Sequence, residues 1–172
     1  KAIGISNFNA SAISALLPHV EVKPVINQCG FSIAGHSEAT SLWGRDDDTK
    51  AACAAHGITY SAYSPLGGWA KGGTSHVLND PTVNAVAKAH NVSAAQVALA
   101  WITTQGHAFV TSSNSEEYDR EDLAVSEIRL TDDEMRLRAR WGRWLECTRR
   151  RCPCSRWWTA RRGSRASATS TR

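Results

Sequence analysis

Four places in the chain end a short apolar run on side chains that could hold a ligand: Ser6-Asn7, Gln28, Tyr63-Ser64-Pro65-Leu66-Gly67 and Ser112-Ser113-Asn114. In parallel α/β proteins ligands gather where strands end, because side chains stop packing there and the backbone turns outward toward the next helix. Tyr63, Ser64 and Leu66 stand at such a change, with Gly67 and Gly68 behind them. A buried strand followed by a tight turn explains the same residues without a ligand. In the same way, Ser6-Asn7 fits a strand end with a helix cap, and Gln28 fits a polar strand terminus. The order of the surrounding elements has to decide. Metal and disulfide chemistry find less support: Cys29 and Cys53 are isolated, and Cys147, Cys152 and Cys154 sit in a basic tail. That pattern makes neither an even disulfide framework nor four spaced zinc ligands.

The elements that would position these residues alternate. Residues 1–6 form a strand, and Asn9 or Ser11 can cap a short helix to Leu17 that Pro18 closes. Residues 23–28 form a second strand, followed by a long loop over 29–45 without clear periodicity. Asp46, Asp47 and Asp48 then give an acidic first turn to a helix through His56. Carboxylates suit that end because the unpaired N–H groups and the helix dipole are positive there, and Gly57 is the expected stop. A third strand runs over 58–63. Beyond a glycine-rich loop, Asp80-Pro81 starts a helix that turns Val83, Val86 and Ala87 inward. Ser93 and Gln96 fit a capping box for the next helix, which faces Val97, Ala98, Trp101 and Ile102 inward and ends at Gly106. A fourth strand over 107–111 leads to the serines, Ser115-Glu116-Glu117 opens another helix, and Thr131 with Glu134 makes one more capping box. Four strand–helix alternations argue for a parallel sheet, either doubly wound or half of an eight-stranded barrel.

Charge divides the chain. Residues 1–135 hold eight Lys/Arg and fifteen Asp/Glu, whereas residues 136–172 hold twelve Arg and one Glu. Beyond Met135 the branched aliphatic residues are Leu137 and Leu145 alone, too little apolar surface to offset the entropy of ordering the segment. The tail is therefore expected to be disordered, or helical only at its start. No apolar run approaches the roughly 20 residues of a membrane helix, and the chain opens on a strand beginning at Lys1 rather than on a leader. These features predict a fragment of a soluble, cytoplasmic protein.

Taken in order, Gly4-Ile-Ser-Asn-Phe-Asn9, Val25-Ile-Asn-Gln28, Ser61-Ala-Tyr-Ser-Pro-Leu-Gly67 and the segment 109–123 resemble strands five to eight of the aldo-keto reductases. Asp80-Pro81 and Ser93-Ala-Ala-Gln-Val97 fall between them in the matching places, and the resemblance covers residues 1–135. It implies an α/β fold: a partial (β/α)8 TIM barrel of four parallel βα units, the carboxyl-terminal half, followed by the basic tail over 136–172. It further implies an oxidoreductase that reduces aldehydes or ketones with NADP or NAD as cofactor (NAD(P)H in the reducing direction) and a small-molecule carbonyl substrate. Under the same resemblance Ser6, Asn7 and Gln28 hydrogen-bond the nicotinamide carboxamide, and Tyr63 stacks on the ring. Ser64, Leu66 and Gly67 line the pyrophosphate, while Ser112, Ser113, Asn114, Glu121 and Asp122 take the adenosine side. The family's catalytic aspartate, tyrosine, lysine and histidine belong to its first four strands, so the resemblance implies no catalytic residue in this chain and no activity for it alone.

The pattern departs from the family in three places. Members that select the 2′-phosphorylated cofactor usually carry a lysine where this chain has Ser112 and an arginine where it has Tyr118; Asp122 also replaces an asparagine. Loss of both cations predicts a weakened preference for that cofactor, with tolerance of both forms. The stretch after Gln28 is longer than the family's acid-cysteine-histidine-proline run, which bears on specificity more than fold. His36 lies in that loop, after the wrong strand for an acid–base role. The tail fits a shifted reading frame in GC-rich coding DNA better than an arm whose arginines neutralise phosphates and whose tryptophans stack on bases. Two other functions compete with the reductase: a nonenzymatic nucleotide-sensing regulatory subunit on the same fold, and a nucleic-acid-binding protein acting through the tail.

A complete barrel containing this sequence is expected to bind NADPH and NADH within about a hundredfold of each other, a gap of at most ~2.7 kcal/mol. Titration with each reduced cofactor checks it, and a larger preference for NADPH would mean that another cation replaces the missing pair.

Overall fold

Most of the helices begin where a side chain takes over an N–H that the helix cannot pair. Asn9 accepts from the Ala12 N–H at 2.8 Å and starts α1 (Ala10–Leu16). Asp80 accepts from Thr82 and Val83 at 2.8 and 3.0 Å, with Pro81 first in α3 (Pro81–His90). Ser93 and Gln96 exchange bonds in a capping box at the head of α4 (Ala94–Thr104), and Thr131 with Glu134 does the same for the single turn α6 (Asp132–Met135). At the other end of α2 (Asp46–Ala55), Gly57 adopts φ +64°, the left-handed conformation its place after the helix requires. Among the described residues α5 spans Glu116–Ala124, and 3₁₀ turns cover Leu17–His19 and Val125–Glu127.

The computed structural model describes residues 1–33, 46–67 and 77–136. The expectations for His36 and for the tail beyond Arg136 lie outside the described residues. Among the described residues no helix is long and apolar enough to cross a membrane.

Among the described residues four strands pair, β1 (Gly4–Ser6), β2 (Ile26–Gly30), β3 (Thr59–Tyr63) and β4 (Ala108–Phe109), all parallel and in the order β1-β2-β3-β4. In-register residues of parallel strands point to the same face. One face therefore carries Ile5, Asn27, Cys29, Tyr60, Ala62 and Phe109. All of these except Asn27 join or pack on the core formed with Ile13 of α1, Cys53 of α2, Val83, Val86 and Ala87 of α3, and Val97, Trp101 and Ile102 of α4. The other face carries Gly4, Ile26, Thr59, Ser6, Gln28, Ser61, Ala108, Gly30 and Tyr63, none of which belongs to that core. Strands laid down in sequence with four helices on one face follow the winding of a (β/α)8 barrel, whereas a doubly wound sheet reverses direction and covers both faces.

Several boundaries differ from the sequence reading. β1 starts at Gly4 rather than Lys1, and β4 is two residues long because only Ala108 and Phe109 pair with β3. β2 starts later and runs on through Cys29 and Gly30, which pair with Ala62 and Tyr63. The expected loop also begins later, since Phe31 and Ile33 are buried in the core and Phe31 packs against Trp101, the rings tilted by 35° with centres 5.3 Å apart. In α4 burial is continuous from Gln96 to Ile102 instead of confined to one face, because Leu99 and Ala100 meet Val125 on the side away from the main core.

His107, at the entry to β4, packs its ring on Tyr60 at 5.1 Å between centres, near Lys50, whose Nζ lies 4.6 Å above Phe31. Burial first, and then the Lys50 charge, lowers the His107 pKa below the ordinary imidazole range near 6.5. A group whose folded-state pKa is depressed contributes stability that is present above its unfolded value and lost as pH falls through the folded one. Denaturant titrations of the wild type and His107→Phe from pH 8 to pH 5 are expected to diverge below about pH 6.5, the wild type losing stability faster. Parallel curves would mean that the ring takes up its proton as easily folded as unfolded.

Candidate functional site

The β1–β2 ladder ends at the pair Ser6–Gln28. There Asn7 turns left-handed, at φ +58°, and three hydrogen bonds gather the corner. The Asn7 N–H donates to the Gln28 carbonyl at 2.9 Å, the Ser6 hydroxyl donates to the same carbonyl at 3.0 Å, and Asn7 Nδ2 donates to Ser6 Oγ at 3.0 Å. The relay leaves Asn7 with its Oδ1 and one N–H for a ligand. Gln28 is half-buried, and among the described residues nothing bonds its side-chain amide. The corner thus offers two carboxamides, each with an acceptor and a donor. Because β2 continues to Gly30, Gln28 ends the ladder to β1 without ending its own strand.

Tyr63 lies on the same sheet face as Gln28, two residues beyond Ser61, and pairs with Gly30. Its carbonyl accepts from the Phe31 N–H at 3.2 Å, one rung past the end of the strand. Ser64 then takes φ +52°, and the Gly67 N–H closes a turn onto the Ser64 carbonyl at 3.0 Å with Gly67 itself at φ +78°. Pro65 is buried beneath that turn and Leu66 packs on the core, so the turn is fastened from below while the Ser64 side chain is exposed.

The third group is arranged differently. Ser112, Ser113 and Asn114 follow β4 on an exposed segment, where the Ser113 hydroxyl bonds the Ser115 backbone at both its N–H and its carbonyl. No hydrogen bond among the described residues ties them to Ser6, Asn7 or Gln28. Glu121 accepts from the Ser93 hydroxyl at 2.7 Å, and its carbonyl accepts from Gln96 Nε2 at 3.0 Å, which fastens α5 to the head of α4. Burial, followed by repulsion from Asp119 and Glu121, raises the pKa of the neighbouring Asp122. A depression of about 390 Å³ on the helical side is lined by His90, Val92, Gln96 and Ile128 among others, and no strand end reaches it.

A sequence model of the Aldo/keto reductase family matches residues 1–139. The chain belongs to that family. It is 33% identical over 143 residues to "Aldo-keto reductase family 1 member A1-A" of Danio rerio, an alignment covering 80% of this chain and 41% of that protein. It is 31% identical over 134 residues to the "NAD(P)H-dependent 6'-deoxychalcone synthase" of Glycine max, covering 78% and 40%. Among solved structures the aldose reductase of Giardia lamblia superposes with a TM-score of 0.68 at 28% identity, over 80% of this chain and 43% of that one. The chain thus spans about two fifths of the length of the curated relatives it matches.

A left-handed conformation is costly for residues other than glycine and worst for β-branched ones. Ser64→Gly is therefore expected to change folding stability by less than ~1 kcal/mol, and Ser64→Val to lower it by about 1–2 kcal/mol, measured by urea denaturation. Equal stability of the two variants would mean that position 64 is not held left-handed in solution.

Proposed function

We propose that this chain is the carboxyl-terminal, cofactor-holding half of an aldo/keto reductase barrel, and that the complete protein reduces aldehydes or ketones to alcohols with NAD(P)H. The observation that carries this reading is the corner of Ser6, Asn7 and Gln28, where two carboxamides with free donors and acceptors meet at a strand end. A nicotinamide carboxamide presents one acceptor and one NH2 group, and the corner can answer both. When bound, the reduced nicotinamide supplies the hydride. Tyr63, on the same sheet face as Gln28, offers its ring to fix which side of the nicotinamide turns toward the substrate. The Ser64–Gly67 turn lets backbone approach the pyrophosphate, and Ser112, Ser113, Asn114, Glu121 and Asp122 lie toward the adenosine. Glu121 would act there while keeping its bond to Ser93.

None of these residues supplies the proton that accompanies the hydride. In the family it comes from a tyrosine of the first four strands, so the division of labour is positioning here and acid–base chemistry in the other half. The Glycine max relative, whose name states NAD(P)H dependence, supports the cofactor class. Residues 1–135 form the reductase half, and no part in the reaction is assigned to residues 136–172. The expected location is the cytoplasm.

Purified residues 1–172 are expected to show no carbonyl reduction, whereas the chain joined to an amino-terminal half carrying the Asp/Tyr/Lys/His set oxidises NAD(P)H in the presence of an aldehyde. In that joined protein Gln28→Leu is expected to weaken NAD(P)H binding about tenfold, roughly the loss of one or two neutral hydrogen bonds. Reduction by the isolated chain, or unchanged binding in the variant, would overturn the assignment.

A further inference from the structure

Asn27 is fully buried, at 0% exposure, and it is the polar member of a sheet face that otherwise carries apolar core residues. A carboxamide in that setting is costly unless every donor and acceptor is met. Three partners meet it. Oδ1 accepts from the Phe8 N–H at 3.3 Å, one Nδ2 hydrogen goes to the Phe8 carbonyl at 2.8 Å, and Nδ2 also reaches Cys53 Sγ of α2 at 3.6 Å. The orientation is unambiguous, because an N–H needs the oxygen and a carbonyl needs the nitrogen.

Phe8 is the first residue after the left-handed corner at Asn7, where the β1–β2 ladder has already ended. Its backbone would have no strand to pair with, and Asn27 supplies a substitute rung from inside β2. Asn7 is thus held on both sides, by its own N–H on the Gln28 carbonyl and by the following peptide groups on Asn27. We infer that Asn27 is a positioning residue for the nicotinamide corner: by clamping Phe8 it fixes the left-handed turn that aims Asn7, and with it the Ser6 hydroxyl, at the cofactor's carboxamide. The inference rests on the cofactor reading above. It goes beyond that reading because Asn27 faces the helices and touches no ligand itself.

The clamp has a chemical signature. In Asn27→Asp an ionised carboxylate can accept from the Phe8 N–H but repels the Phe8 carbonyl, whereas a protonated carboxyl restores both bonds. Burial raises a carboxyl pKa, so the clamp returns as pH falls. The titratable side chains that face position 27 are Cys53 of α2, bonded to it, and Tyr60 and Cys29 on the same sheet face; burial pushes the Cys53 thiol up, which keeps it neutral over that range.

The test uses the barrel in which this chain is joined to its amino-terminal half, with the wild type, Asn27→Ala and Asn27→Asp. NADP+ is compared with 2′-phospho-ADP-ribose, which differs only in lacking the nicotinamide. Asn27→Ala is expected to bind NADP+ about tenfold more weakly while its affinity for 2′-phospho-ADP-ribose stays within about twofold, and its Phe8 amide should exchange with solvent about tenfold faster. Asn27→Asp should match Asn27→Ala at pH 8 and recover toward wild type by pH 5.5, which keeps the test decisive if Asn27→Ala fails to fold. Equal losses for the two nucleotides, unchanged Phe8 protection, or no recovery in Asn27→Asp would overturn the positioning role. A wild type that binds 2′-phospho-ADP-ribose as tightly as NADP+ would remove the nicotinamide corner itself, and the positioning role with it.

Discussion

The parallel ladder between β2 and β3 is the constraint on which the rest depends. Five consecutive pairs run from Ile26–Thr59 to Gly30–Tyr63. Because side chains alternate along a strand, a slip of one residue would exchange the two faces completely. The register as it stands sends Cys29, Tyr60 and Ala62 to the helices and leaves Gln28, Ser61 and Tyr63 on the other side. Core and candidate site are therefore two consequences of one pairing. The apolar face fixes the register, since exposing it would forfeit the burial of Tyr60 and Ala62 against Trp101 and its neighbours, and the site inherits that precision.

The precision is not shared evenly along the site. The corner of Ser6, Asn7 and Gln28 is built on paired strands, and the Ser64–Gly67 turn stands on buried Pro65 with Leu66 against the core. Two non-glycine residues in left-handed conformations, Asn7 and Ser64, lie at the ends of β1 and β3. Such conformations persist only where surrounding bonds over-determine them, and at Asn7 those bonds are visible on both sides. Ser112, Ser113 and Asn114 are exposed and bonded among their own neighbours, while Glu121 answers to α4. Ser112, Tyr118 and Asp122, where the chain departs from the expected family pattern, fall in that part with fewer fixed contacts.

Local chemistry was the legible part of the sequence. Asp80, Ser93 and Thr131 cap the helices they were expected to cap, Asn9 rather than Ser11 caps α1, and Gly57 stops α2, because a cap needs only a few adjacent residues. What depends on distant partners was not legible. Nothing within Cys29-Gly30-Phe31 says that Ala62 and Tyr63 extend β2 or that Trp101 buries Phe31, since those partners are 30 or more residues away. Leu99 and Ala100 broke the one-faced pattern of α4 because Val125 supplies a second apolar surface. Asn27 lies within the Val25–Gln28 motif, yet the motif hides its role: only the parity of the ladder reveals that it points toward the helices while Gln28 points away. A polar residue at an apolar parity was the available signal, and it requires the register to be known first.

Parity also separates the two folds that alternation alone left open. A doubly wound sheet needs large apolar side chains on both faces, because each must bury against a layer of helices. Here the face away from the helices carries Gly4, Ser6, Gly30, Ser61 and Ala108 between Ile26, Thr59, Gln28 and Tyr63, too little apolar side chain to build a second core. A Cβ at Gly4 would lie 2.6 Å from Cγ2 of Ile26, so even alanine would force its neighbour aside. Small side chains on this face leave room beside the longer Gln28 and Tyr63. The features that make this face a poor partner for helices are those that let it serve as the inner wall of a barrel.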